Sequence, residues 1–305
     1  MPKKEKEKKY GQQTFETFVT MVKEEVERNL PEELKGSIVK IQKTNKNNEV
    51  LTGISIIEPE KECVPVIYLN DYLSKAEMET DIKDVAQHVI NAHMAHRSPA
   101  SVADIVSLIA NHNVEELRKH VSIQMVGLAG NEKYLDGCVY DKFLDMAAIY
   151  TLKFPNAEKT GNGYMTLRIT EKVLRSLGIS KKELRNMAHE NMDKANYIFT
   201  DMADYFHLLN LPKGYMYVLS SVDFCNGANA ICFQELLRDV YETLGRPYAI
   251  LPSSIHELVV LPYDEEMDAE YLREMVNSVN STVVEASEIL TNSVYLFNGT
   301  EVVIM

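Results

Sequence analysis

The stretch Ile250–Asp264, ILPSSIHELVVLPYD, sets Ser253, Ser254, His256 and Glu257 between two strongly apolar runs. A hydroxyl, an imidazole and a carboxylate are the parts of a nucleophilic hydrolase site. Their spacing argues otherwise. On an extended chain Ser254 and His256 face one side and Glu257 the other. Same-face neighbours sit roughly 6.5–7 Å apart at their Cα atoms. A working serine–histidine pair needs a reach of about 3 Å and a third group to orient the ring. The chain has no G-x-S-x-G elbow to present a strained serine. The sequence therefore predicts a β-hairpin, with Pro252, Ser253 and Ser254 in the turn and His256 and Glu257 opening the return strand. The chemistry left to these groups is recognition. Ser253, Ser254, His256 and Glu257 are expected to line a ligand cleft with Asn226 and Gly227 of the DFCNGANA turn. The competing reading is a hydrolase-like enzyme in which the fold gathers His256, Glu257 and Asp145.

Two other groups of polar residues invite a chemical reading. HVINAHMAHR carries His88, His93 and His96. On a helix His93 and His96 fall near the face of Ile82, Val85 and Val89, while His88 points well away from it. Three ligands cannot converge from those directions, and a zinc site would need a further ligand from elsewhere. His93 and His96 are expected to cap the buried face, each with one partner, and no metal is expected. Asp136, Asp141 and Asp145 form the second group. If their segment is helical, Asp141 and Asp145 share a face, as divalent-metal or acid–base pairs do. A solvated charged face is the commoner outcome. Asp145 adjoins the apolar run MAAIY, where a buried carboxylate needs a partner.

Composition narrows the function classes. The 305 residues carry 32 Lys and Arg against 45 Asp and Glu, a net charge of −13. Such a chain repels phosphate backbones, so nucleic acid is a poor partner. Neither GxxxxGK[ST] nor GxGxxG occurs, so nucleotide cofactors lack support and no cofactor is expected. Cys63, Cys138, Cys225 and Cys232 include no CxxC pair, which fits reduced thiols in a cytoplasm. The opening MPKKEKEKKYG has no apolar core of a secretory signal, and no run approaches the roughly 18 apolar residues of a membrane span.

The elements that must position these groups read as α+β. Residues 1–11 are expected to be a disordered tail. Over 12–99 the pattern is a small α-β-β-β-α domain: a helix carrying Phe15, Val19, Val22 and Val26, a hairpin around NKNN, the strand VPVIYL, and a helix carrying Val85 and Val89. Residues 100–305 read as a larger domain, a mixed or antiparallel sheet with helices. Within it Ser180 and Glu183 match a capping box, and AICF reads as a short strand.

The phrases VLTGISI with PVIYL, FLDMAAIY, ITEKVLRSLGIS, NGANAICF, ILPSSIHE and LREMVNSVN span roughly residues 15–297. Their order resembles an uncharacterised bacterial family, a domain of unknown function met in Gram-positive gut bacteria and often near mobile elements. NGA followed by ILPSSIHE is the most specific part, and AHR at 95–97 also fits. CVYD replaces the family's usual proline-histidine before the FLD phrase, which argues against a shared site at 138–141. The resemblance implies an α+β architecture and supplies no catalytic residues. Taken together, the sequence predicts a cytoplasmic, non-catalytic protein that binds another protein or a small molecule.

Overall fold

The computed structural model describes residues 2–59, 61, 64–72, 81–96, 107–155, 164–207, 212–252 and 254–305, with residues 2–14, 155 and 164 described by backbone alone. The fold is α+β. The chain divides into two compact units, Met1–Ala103 and Asp104–Met305.

In the first unit, α1 (Pro2–Arg28) buries Phe15, Val19, Val22 and Val26, spaced four, three and four residues apart along one helical face. The helix takes in the Lys/Glu-rich opening segment, a composition of high helix propensity. Strands β1 (Ile38–Lys46) and β2 (Glu49–Ile57) form a hairpin whose turn places Asn48 at φ 59°, a left-handed conformation that asparagine tolerates. A short β3 (Ile67–Tyr68) adds to β2. Helix α2 (Ile82–His96) closes the core with Val85, Ala86, Val89 and Ile90.

Two antiparallel sheets build the second unit. In the first sheet β4 (Val121–Gly127), β5 (Tyr140–Phe143) and β7 (Tyr164–Arg168) all pair with the long β6 (Met146–Pro155). From Met146 to Leu152 every residue of β6 is buried. A strand covered on both faces loses apolar–polar alternation, which is why MAAIY reads as an unbroken apolar run. Each large apolar side chain buried this way contributes roughly 1.5–3 kcal/mol. Short helix α3 (Val114–Arg118) precedes β4, α4 (Glu132–Leu135) joins β4 to β5, and α5 (Glu171–Leu177) follows β7. Helix α6 (Lys181–Glu190) starts at the Ser180–Glu183 capping box, with both reciprocal bonds present.

The second sheet has the order β13-β12-β10-β11-β9-β8. Its strands are β8 (Tyr197–Asp201), β9 (Tyr217–Ser221), β10 (Tyr248–Leu251), β11 (Glu257–Pro262), β12 (Tyr295–Phe297) and β13 (Val302–Ile304). Helix α7 (Met202–Tyr205) follows β8, α8 (Gln234–Leu244) precedes β10, and α9 (Ala269–Thr282) follows β11. One face of this sheet joins the main core through Leu219, Leu258, Val260, Tyr248 and Ile250. The other packs Ala249, Leu251 and Leu261 against Leu272 and Val276 of α9. The expected strand AICF is instead part of a 3-10 helix, Gly227–Cys232. Small Ala228 and Ala230 and the buried Ile231 let this coil press into the core, where a strand would need alternating faces.

Candidate functional site

The turn and strand around His256 form a hairpin: β10 pairs with β11 through Ile250↔Val260 and Leu251↔Val259. Ser253 lies outside the described residues. Ser254 bridges to Ile289, and the Ile255 N–H donates to the Glu288 carbonyl at 2.8 Å, so the turn is latched to the segment before β12. The Ser254 hydroxyl oxygen accepts the backbone N–H of His256 at 3.0 Å and bonds the Glu257 carboxylate. The His256 ring turns elsewhere. Its Nδ1 accepts the Asn226 N–H at 3.3 Å, and its Nε2 lies 3.4 Å from Glu288 Oε1. These partners assign the proton to Nε2. Each ring nitrogen thus has a partner other than the serine, and the serine hydroxyl is directed at a carboxylate. Burial raises the Glu257 carboxyl, with Ser254 and His256 opposing.

Asn226 and Gly227 meet His256 through backbone. Asn226 sits at φ 57°. At Gly227 an added Cβ would lie 2.4 Å from the His256 carbonyl oxygen and 2.4 Å from the Ser221 nitrogen, closer than any side chain can come. The NGA phrase is therefore a packing requirement. It lets the 3-10 helix lie against β9 and β11, where the Ser220 hydroxyl also donates to the His256 carbonyl at 2.8 Å.

The other side of the same loop faces a cavity of about 370 Å3. Among the described residues, the loop contributes Val222, Asp223, Cys225 and Asn229 to the lining, and Asn226, Gly227, His256 and Glu257 stand outside it. On one wall Lys153 Nζ lies 2.5 Å from Asp223 Oδ2, both side chains being largely buried. Asp223 Oδ1 accepts from the Ser221 hydroxyl at 2.7 Å and from the Cys225 N–H at 3.1 Å. Burial pushes this carboxyl up, and the Lys153, Ser221 and Cys225 donors outweigh it, leaving it below the ordinary aspartate value. Burial also raises the Cys225 thiol, so it is a poor thiolate nucleophile at neutral pH.

Lys119 and His120 complete the charged lining. The His120 ring stacks on Phe154 with centroids 4.1 Å apart, and its Nδ1 lies 3.1 Å from the Lys153 carbonyl. The back wall is braced by Tyr197, whose hydroxyl donates to Asn229 Oδ1 at 2.9 Å while Asn229 Nδ2 donates to the Ile123 carbonyl. The lining of this recess thus carries two lysines, a histidine and one aspartate, and behind it Glu116 pairs with Lys119 at 2.7 Å and lies 4.0 Å from His120 Nε2. Sequence reasoning passed over it. The available signal was Lys153 itself, a lone cation inside the apolar run MAAIYTLKF.

The remaining candidates lie apart. Asp141 and Asp145 are not on a helix: β5 and β6 flank a turn at Leu144 and Asp145, because Leu144 takes up φ 56° and reverses the chain. Asp141 accepts both arms of Arg185 at 2.7 and 2.8 Å and the Tyr150 hydroxyl at 2.5 Å, tying β5 and β6 to α6. The Arg185 guanidinium beside Asp141 holds its carboxyl far below the usual carboxylate range. Asp145 accepts the hydroxyls of Thr291 at 2.9 Å, Ser293 at 2.7 Å and Tyr295 in a short bond, fastening the entry to β12. Burial raises this carboxyl and the three hydroxyls more than offset it. Asp136 follows α4 and borders a separate cavity of about 660 Å3.

In the first unit, His93 is fully buried with Nε2 3.2 Å from Glu58 Oε1. His88 is exposed and meets Tyr72 edge-on at 6.1 Å. His96 is exposed at the helix end, so only His93 caps the buried face as expected. Among the described residues no group of three His, Cys, Asp or Glu could hold a metal ion. Cys138, Cys225 and Cys232 are free thiols, and burial pushes Cys232 up to about 12. Among the described residues no helix is long and apolar enough to cross a membrane.

The comparison with protein families returns one described simply as a family of unknown function (DUF5688), matched over residues 15–299. The chain belongs to that family. No curated protein and no solved structure matches it.

Proposed function

We propose that this chain is a cytoplasmic bacterial binding protein without catalytic activity, and that the recess beside the 222–229 loop takes a small molecule bearing a carboxylate or phosphate. The observation that carries this reading is the Lys153–Asp223 pair within the recess, 2.5 Å apart and flanked by Lys119 and His120. A ligand oxyanion entering here meets Lys153 and Lys119, replaces their present partners Asp223 and Glu116, and lies beside the His120 ring. In a partly buried recess such charge-assisted bonds are stronger than at the open surface. The 222–229 loop is the shared wall: its inner backbone rests on His256, and its outer side chains face the ligand. Asn226, Gly227, Ser254, His256 and Glu257 act here as the support that sets the loop's position. A hydrolase assembled from His256, Glu257 and Asp145 fits less well, since their side-chain partners are Asn226 and Glu288, Ser254, and the 291–295 hydroxyls respectively.

The test is a thermal-shift series at constant ionic strength with citrate, inorganic phosphate and choline. Saturable stabilisation by citrate or phosphate, absent with choline and weakened in Lys119→Ala, is expected. Equal responses to all three would overturn the reading.

A further inference from the structure

We infer a second, independent site in the Asp104–Met305 unit: a groove that docks a basic amphipathic helix of a partner protein. The groove lies along α9 beside β11 and the start of β9 and encloses about 710 Å3, within the range of roughly 300–1,000 Å3 typical of ligand sites. Its floor is methionine-rich. Met216, Met267 and Met275 line it and are half-buried against the small core beneath α9. Tyr271 projects from α9 one turn before Met275 and is 62% exposed, a large apolar ring left in solvent. Flexible thioethers with an aromatic ridge are the surface that accepts helices of varied sequence.

Charge names the occupant. Asp264, Glu266 and Asp268, all exposed, stand on the lining against Arg246 as its single cation. Asp264 and Asp268 are held in place by accepting the backbone N–H groups of Glu266 and Glu270, so the acidic rim is fixed and not merely a set of swinging side chains. A helix with leucine-like residues at i, i+3, i+4 and i+7 would set them on the methionines and carry its lysines to this rim. An acidic helix would meet repulsion, and a neutral one would leave the carboxylates without partners. This site shares no lining residue with the oxyanion recess, so either can fail alone.

The full-length protein is titrated into a fluorescein-labelled Leu/Lys amphipathic peptide and, separately, into its Leu/Glu counterpart, with anisotropy as the readout. Saturable binding of the Leu/Lys peptide is expected, weakening as salt screens the rim. Glu266→Lys with Tyr271→Ala should weaken it at least about tenfold, near 1.4 kcal/mol. Both positions are exposed, and an unchanged circular dichroism spectrum verifies that the fold survives. Equal binding of the two peptides, absence of binding, or indifference to the paired substitution would overturn the inference. So would sedimentation showing that the wild-type protein dimerises through this groove and that Tyr271→Ala releases the monomer.

Discussion

Lys153 on β6 and Asp223 in the loop after β9 stand 70 positions apart in the chain, with Nζ and Oδ2 separated by 2.5 Å. The pair fastens the 222–229 loop to the four-stranded sheet while forming one wall of the recess. Its strength is open to a double-mutant cycle. Lys153→Met and Asp223→Asn should each destabilise the second unit, and the double variant should lose less than the sum of the two. A coupling of roughly 1 kcal/mol is expected from urea unfolding. Strict additivity would mean that the two groups do not interact.

Gly227→Ala isolates the close approach of the loop to β9 and β11. A methyl group placed 2.4 Å from two backbone atoms forces the loop away, at a cost of about 2 kcal/mol or more. Asn226→Gly next door keeps the backbone N–H that His256 accepts and fits φ 57°, so its unfolding midpoint should stay close to wild type. Comparable losses in both variants would show that the turn, and not the missing Cβ, sets the requirement.

Asp145→Asn should cost roughly 2 kcal/mol at neutral pH, because one amide oxygen replaces a carboxylate that accepts three hydroxyls. The folded-state pKa of Asp145 is lowered, so its stabilising contribution is present above the unfolded value of about 3.9 and is lost as pH falls through the folded value. The gap between wild type and variant should therefore close in acid. Denaturant curves at neutral and acidic pH provide the check.

Glu257 has the opposite sign. Its folded pKa is raised, chiefly by burial, so its contribution is present below the unfolded value of about 4.3 and is lost as pH rises through the folded value. Glu257→Gln should raise the thermal midpoint at slightly alkaline pH and change it little in acid. A variant less stable than wild type at alkaline pH would show that the ionised carboxylate is favoured in the fold.

Short-range pattern carried the local structure into the sequence. The 4-3-4 spacing of Phe15, Val19, Val22 and Val26 declares α1, the Ser180–Glu183 pair declares the start of α6, and the two apolar runs about ILPSSIHE declare the β10–β11 hairpin. The two-residue period of an extended chain puts Ser254 and His256 on one face and Glu257 on the other, whereas the turn before β11 directs the Ser254 hydroxyl at Glu257 and the His256 ring at Asn226 and Glu288. What was not legible depends on distant neighbours. AICF coils because small alanines meet a packed core, and Asp141 and Asp145 part because Leu144 reverses the chain between them. The recess could not be read from local spacing, because Lys153 and Asp223 belong to separate elements and meet only through tertiary packing.

The location of the ligand site is tested most directly by backbone amide chemical-shift mapping during a citrate titration of the full-length protein. Saturable shifts gathered at residues 119–122, 153, 196 and 221–229, with His256 and Glu257 moving little, are predicted. Shifts centred on Ser254–Glu257, or a titration that never saturates, would contradict the account.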